Sequence, residues 1–245
     1  MRWCGDGAPG SRVVELDGVA GAIVPAVPSR SIANSVTYRD ADALIASLDE
    51  LAATYEEAGI EAWTVWAPEF DREAIAGLEA AGHKFDGQPT AMVLDLAAAA
   101  PSDLGDLEWD REATWEELGR INDEAYGHAG AGGFAPGLRR FPEGLDLRLR
   151  RARVDGETTC VMATIDHAPT PGADGPDCGV YFVATREAFR RRGLATRLMW
   201  AALGEARERG CATSSLQASA MGEPVYAAMG YEPCFRFHMY ERRRA

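Results

Sequence analysis

Two stretches of the chain pass through the same succession of elements, and this doubling constrains the fold more than any other feature. Residues 31–96 read strand, helix, strand, helix, strand, and residues 177–242 read the same. In the first copy SIANSVTY (31–38) has strand character, and Asp40 or Asp42 is placed to cap a helix. That helix carries Leu44, Leu48, Leu51 and Tyr55 at helical spacing and stops at Gly59. IEAWTVWA (60–67) is a second strand, Asp71 to Ala81 a helix ending at Gly82, and PTAMVLDL (89–96) a third strand. In the second copy the strands are DCGVYFVAT (177–185), ATSSLQAS (212–219) and FRFHMYER (235–242). The helices between them are LATRLMWAALGEARER (194–209) and EPVYAAM (223–229). The longer one turns Leu194, Leu198, Ala201, Ala202 and Leu203 to one side and ends at Gly210. A repeat of this length predicts two related domains, divided here as residues 1–100 and 101–245.

The remaining segments are read more coarsely. Residues 97–106 have the composition of a linker, and 115–126 are helical. Strands at 145–154 and 158–166 are joined by the hairpin signal DGE. The glycine-rich stretch 127–137 and the stretch 167–176 read as loops. Residues 1–30 show little pattern and are expected to be flexible. GDGAPG at 5–10 matches a dinucleotide-binding spacing but lacks the strand before it and the helix after it.

The copies differ at one junction. Between strand and long helix the second copy inserts FRRRGLATRL (189–198), four arginines and a glycine in a chain of net charge −13. Cations are unfavourable at a helix N-terminus, so this cluster calls for an anion. The amides of such a turn point into one concavity, Gly193 lets a ligand approach closely, and Arg190, Arg191 and Arg192 supply charge-assisted bonds. The segment suits a diphosphate. It is not a Walker loop, because the lysine and the first glycine of that motif are missing. The acidic balance argues against binding nucleic acid or an anionic membrane, and no run of about 18 apolar residues offers a membrane span.

RRRGLA (190–195) resembles the R/Q-x-x-G-x-G/A pattern of the GNAT superfamily of acyl-CoA-dependent N-acyltransferases. GEPVYAAMGYEP (222–233), about 25 residues on, is similar to a second segment of that family. The resemblance covers the order of elements over roughly 105–242, and the first half resembles a degenerate copy, as in tandem members. It implies an α+β fold with a mixed, mostly antiparallel central sheet flanked by helices. It implies acetyl-CoA as co-substrate, with no metal, and direct transfer to a small-molecule primary amine. By position, backbone amides from Arg191 through Gly193 and Leu194 to Ala195, with Thr196, would hold the pyrophosphate. Val183 and Thr185 would pair with the pantetheine arm in a gap between strands 177–185 and 212–219. Tyr226 would protonate the departing thiolate.

Other assignments stay open. Tyr226 could instead pack. Ser219 could bond the pantetheine arm or cap the short helix. Asp177 and Glu223 are either bases for the amine or caps and surface carboxylates, and His128 lies in the loop that would cover the acceptor. Trp63 and Trp66, three apart in a strand, face opposite sides and serve core and inter-domain packing. The four histidines and five cysteines show no metal-ligand spacing, and the cysteines fit free thiols in a reducing cytoplasm. The chain is expected to act as a monomer or homodimer without nucleic-acid or membrane partners. A non-catalytic acyl-CoA sensor or scaffold is the alternative reading.

Overall fold

The computed structural model describes residues 8–128, 135–137, 146–170 and 172–244. In chain order the elements are β1 (Arg12–Leu16), β2 (Val19–Ile23), β3 (Ser35–Tyr38), α1 (Ala41–Glu57), β4 (Ala62–Pro68), α2 (Arg72–Ala80), β5 (Lys84–Gly87) and β6 (Thr90–Asp95). There follow β7 (Glu108–Asp110), α3 (Trp115–Ala125), β8 (Leu147–Val154), β9 (Glu157–His167), β10 (Asp177–Thr185), α4 (Leu194–Glu208), β11 (Thr213–Ala218), α5 (Glu223–Ala228) and β12 (Glu232–Arg243). They form two compact units, one built on residues 8–89 and 235–244, the other on 90–128 and 146–234. The units are therefore not the contiguous stretches 1–100 and 101–245. β6 packs with the second unit, and the end of β12 with the first.

In the first unit the strands run β1-β2-β3-β4-β12, with β5 on β12. β3 and β4 are parallel and the other pairings antiparallel. The Asp40 carboxylate accepts from Ala43 N at 2.9 Å and starts α1, and Asp71 does the same for Ala74 N at 3.1 Å and α2. Leu44, Leu48, Leu51 and Tyr55 are all buried. Each such leucine adds about 1.5–3 kcal/mol of burial. Trp63 joins this core, stacked on Tyr55 at 4.8 Å. Trp66 lies on the other sheet face, donates to Ser35 Oγ at 3.1 Å and meets Phe237 within the same unit.

Two expectations fail here. Residues 12–23 form the β1–β2 hairpin, turning at Asp17-Gly18 with Gly18 at φ +75°, so the segment after the undescribed residues 1–7 is ordered sheet. The expected strand 31–38 is a strand only from Ser35. Asn34 is fully buried, accepts from Val24 N at 2.7 Å and donates to the Val27 and Arg30 carbonyls, which locks 24–34 as a turn.

In the second unit the order is β6-β11-β10-β9-β8-β7, with only β10 and β11 parallel. Three-residue β7, next to the expected linker, was not legible from sequence. The DGE turn closes β8 and β9 with Asp155 and Gly156 both at positive φ. Neighbouring arginines show that helices cover both faces of this sheet. Arg150 reaches Glu205 of α4, and Arg151 reaches Glu117 of α3 at 2.8 Å, and successive strand residues point to opposite sides. The α4 side holds a core that includes Met92, Leu94, Met162, Val180, Leu198 and Leu203.

Candidate active site

β10 changes character along its length. Its parallel register with β11 holds for Asp177↔Thr213, Cys178↔Ser214 and Gly179↔Ser215, then stops. Beyond it β10 continues to Thr185 on β9 alone, so the expected gap between the two strands is present. The β9 register steps from Tyr181↔Ala163 to Ala184↔Val161, setting Phe182 and Val183 against one residue, and Phe182 sits at φ +53°. This β-bulge breaks the ladder at Val183.

The arginine loop follows. Glu187–Phe189 form a 3₁₀ turn, Arg190 is extended, Arg191 lies at φ +62° and Gly193 at φ +71°. A positive φ on arginine is uncommon and marks a backbone shaped for something other than its own comfort. α4 then starts with no side-chain cap, and its first helical bond is Arg197 N to Gly193 O at 3.0 Å. The amides of Gly193, Leu194, Ala195 and Thr196 precede that bond and have no intrahelical acceptor. Gly193 is exposed and a Cβ placed on it would meet nothing within 4 Å, so the chain leaves the space beside this helix start unobstructed. Uncapped amides at the positive end of a 15-residue helix, beside an unobstructed glycine, fit a diphosphate.

The loop arginines divide their work differently from expectation. Arg190 donates through Nε to Thr185 O at 3.2 Å and through Nη2 to Ala125 O at 2.6 Å, so its guanidinium braces the loop against the end of α3. Arg192 donates to Ala188 O at 3.2 Å and lies over the Phe189 ring at 5.0 Å. Arg186, which sequence reasoning did not single out, is held by Glu124 and Glu157. Arg191 and Arg192 are both exposed, whereas Arg190 is half-buried.

Val183 is half-buried against the α4-side core, together with Ala195 and Tyr226. Thr185 Oγ1 donates to Cys160 Sγ at 3.2 Å, and its carbonyl is the one Arg190 engages. Tyr226 is half-buried, its ring lying where a Cβ on Gly222 would fall and edge-on to Tyr231 at 6.0 Å. Burial pushes its hydroxyl pKa up, with Tyr126 and the Cys160 thiol adding to the effect, so it holds its proton. Ser219 Oγ accepts from Gly222 N at 3.3 Å in the turn that precedes α5, and α5 itself starts at Gly222 without a side-chain cap.

The carboxylates considered as bases are engaged elsewhere. Glu223 accepts from Thr90 Oγ1 at 2.8 Å. Asp177 accepts from Thr213 Oγ1 at 2.8 Å and Ser215 Oγ at 2.6 Å, and six strand residues, about 20 Å, separate it from Val183. His128 is exposed beyond α3, and the rest of its loop to residue 134 lies outside the described residues. A grouping that sequence reasoning missed lies along β10. Tyr181 Oη meets His167 Nε2 at 2.8 Å, and a Cβ on Gly179 would fall 2.7 Å from both atoms. Only the glycine inside a β-strand pattern could have hinted at it. Burial, then the Asp177 charge, pushes the Tyr181 hydroxyl up to about 12.

Comparison with known proteins agrees with this geometry. The acetyltransferase (GNAT) family model matches residues 105–231. No curated protein matches the chain. Among solved structures, a GCN5-related N-acetyltransferase from Kribbella flavida is similar at TM-score 0.66 and 18% identity, covering 96% of this chain and 90% of that one. A GNAT-family protein from Novosphingobium aromaticivorans gives 0.58 and 15%, covering 99% and 96%. A tandem GNAT protein from the clavulanic acid biosynthesis pathway gives 0.59 and 16%, covering 96% and 80%. At these identities the likeness is one of fold. Among the described residues no helix is long and apolar enough to cross a membrane.

Proposed function

Because the chain belongs to the acetyltransferase (GNAT) family, we propose that it moves an acetyl group from acetyl-CoA to a primary amine of a small molecule, directly within a ternary complex. The observation that carries this reading is the uncapped start of α4 at the exposed, unobstructed Gly193, continuous in sequence with a strand that has left its parallel partner.

The amides from Arg191 to Ala195, with Thr196, receive the diphosphate, and the exposed Arg191 adds charge to it. The pantetheine arm runs along β10 beyond Gly179, past Val183 and Thr185. The bulge offers the Val183 N–H to the thioester carbonyl, where it stabilises the oxyanion. The neutral amine attacks that carbon, the C–N bond forms, the C–S bond breaks, the thiolate takes the Tyr226 proton, and the surplus proton of the new amide nitrogen returns through solvent to Tyr226. Starting from an ammonium ion, each turnover releases one proton to solvent. Holding both substrates in line supplies much of the acceleration. The reading places the protein in the cytoplasm, as a monomer or homodimer, with its buried thiols Cys160, Cys178 and Cys211 reduced.

One observation favours a non-catalytic acyl-CoA sensor instead: the two carboxylates considered as bases, Asp177 and Glu223, are both engaged by hydroxyl donors. Calorimetry with acetyl-CoA, followed by thiol release with a panel of primary amines, separates the two. We expect binding and turnover. Binding without turnover on any amine gives the sensor, and no binding removes both.

A further inference from the structure

Asp177, Gly179 and Tyr181 alternate along β10 onto one sheet face, because Cys178 and Val180 between them belong to the α4-side core. Asp177 stands directly across from His167 in the antiparallel register. The Tyr181 ring leans back over Gly179 to meet His167, so hydroxyl and imidazole meet on the sheet face that also carries Asp177. Gly179 is what permits this, since any side chain there would part the Tyr181–His167 contact. Thr213 and Ser215 fix the Asp177 carboxylate by donating to one oxygen each, which leaves lone pairs on both. His167 is exposed, so the group opens to solvent.

The Asp177 carboxylate and the Tyr181 phenol oxygen offer acceptors to an ammonium ion, while His167 Nε2, taken up by its contact with the phenol, holds that oxygen in place. From Gly179, over which the phenol sits, to the bulge at Val183 is four strand residues, or about 13 Å. That is too far for these groups to take the proton of the reacting amine. It is a suitable distance for holding the far end of a long acceptor.

We propose that Asp177 and Tyr181, the latter positioned by His167, bind a second cationic group of the acceptor, so that the preferred substrate is an extended polyamine acetylated at the end remote from them. This rests on the acetyltransferase reading of the same strand. The test compares kcat/KM for propylamine, putrescine, spermidine and spermine, alongside acetyl-CoA affinity by calorimetry. Spermidine or spermine should exceed propylamine by about tenfold or more, as one charge-assisted contact provides. Asp177→Asn should bring that ratio close to one with acetyl-CoA affinity retained. Gly179→Ala, which parts Tyr181 from His167 without removing either, should lower the same ratio, and Asp177→Glu should restore part of it.

Equal use of propylamine and spermine overturns the proposal, as does a ratio that survives both Asp177→Asn and Gly179→Ala. Acetyl-CoA binding with no turnover of any of the four amines also overturns it. Failure to bind acetyl-CoA removes the acetyltransferase reading itself, a result that the calorimetry reports separately.

Discussion

Replacing Gly193 tests the anion cradle most directly, because two effects of the change can be separated. Gly193 lies at φ +71° with nothing within 4 Å of a Cβ position. Alanine there meets no atom, so its cost to the fold is the left-handed backbone alone, roughly 1–2 kcal/mol. Its methyl group, however, takes space beside the amides of Leu194, Ala195 and Thr196 that the proposed binding mode gives to the diphosphate. Losing one amide–phosphate bond of about 1.5–3 kcal/mol weakens acetyl-CoA binding about 10- to 100-fold. Gly59 supplies the control. It lies at φ +72°, also with nothing within 4 Å, after α1 in the first unit. Gly59→Ala should lower thermal stability as Gly193→Ala does and leave acetyl-CoA affinity unchanged. Gly193→Asn, which tolerates positive φ, should keep stability and still lose affinity. Calorimetry and thermal denaturation read the two quantities independently. If Gly193→Ala and Gly193→Asn both bind acetyl-CoA within about threefold of the parent, the space beside this helix start is not where the diphosphate sits.

Further outcomes follow from the same geometry. Tyr226→Phe should cut the rate of thiol release about 100-fold or more while acetyl-CoA affinity holds; equal rates would remove Tyr226 as the acid. Calorimetry should give one acetyl-CoA per chain, because the helix start that corresponds in the first unit is closed by the Asp40 carboxylate and lined by Asp17 and Asp42. A stoichiometry of two would refute this. His83 is 4% exposed, and burial, with Arg242 adding to it, lowers its pKa from 6.5 to about 4. Its folded value lies below its unfolded value, so the fold gains most above pH 6.5 and loses that stability as pH falls from 6.5 toward 4, in all about 3 kcal/mol. Urea denaturation at pH 7 and pH 5 should show the loss, and His83→Leu should flatten it.

What could be read from the sequence was local. Asp40 and Asp71 announced their helices because a cap is settled within four residues. DCGVYFVAT is a strand over its whole length, and Gly193 opens α4 as its spacing implied. The misses are long-range or lie below the size a pattern can show. The pairing of β6 with β11 and of β12 with β4 joins residues more than a hundred positions apart. The Tyr181–His167 contact depends on a cross-strand register and on a missing Cβ. Arg190 looked like an anion ligand because charge is visible in sequence, whereas the carbonyls of Thr185 and Ala125 that occupy it are not. The β1–β2 hairpin is a different case: Asp17-Gly18 was a turn signal in plain view, overlooked beside a glycine-rich stretch.

The doubling gives the reason for proposing one site and not two. Each unit holds one parallel pair, β3–β4 or β10–β11, followed by an antiparallel strand from the other half of the sequence. Pairing pattern alone therefore does not make an anion site. The difference lies in the junction before the long helix. Arg39 and Asp40 alone join β3 to α1, and the Asp40 side chain fills the amide start from within, while Arg39 is held by Asp17 and Asp40. Between β10 and α4 the junction spans residues 186–193. That is long enough to place a glycine rather than a carboxylate against the amides, and to set Arg191 in a left-handed turn before it. A capped helix start is satisfied by its own chain, whereas an uncapped one needs a ligand or water. Shortening 186–193 to the two-residue form of the first unit would thus remove the anion site while leaving the strand pairings on either side of it unchanged.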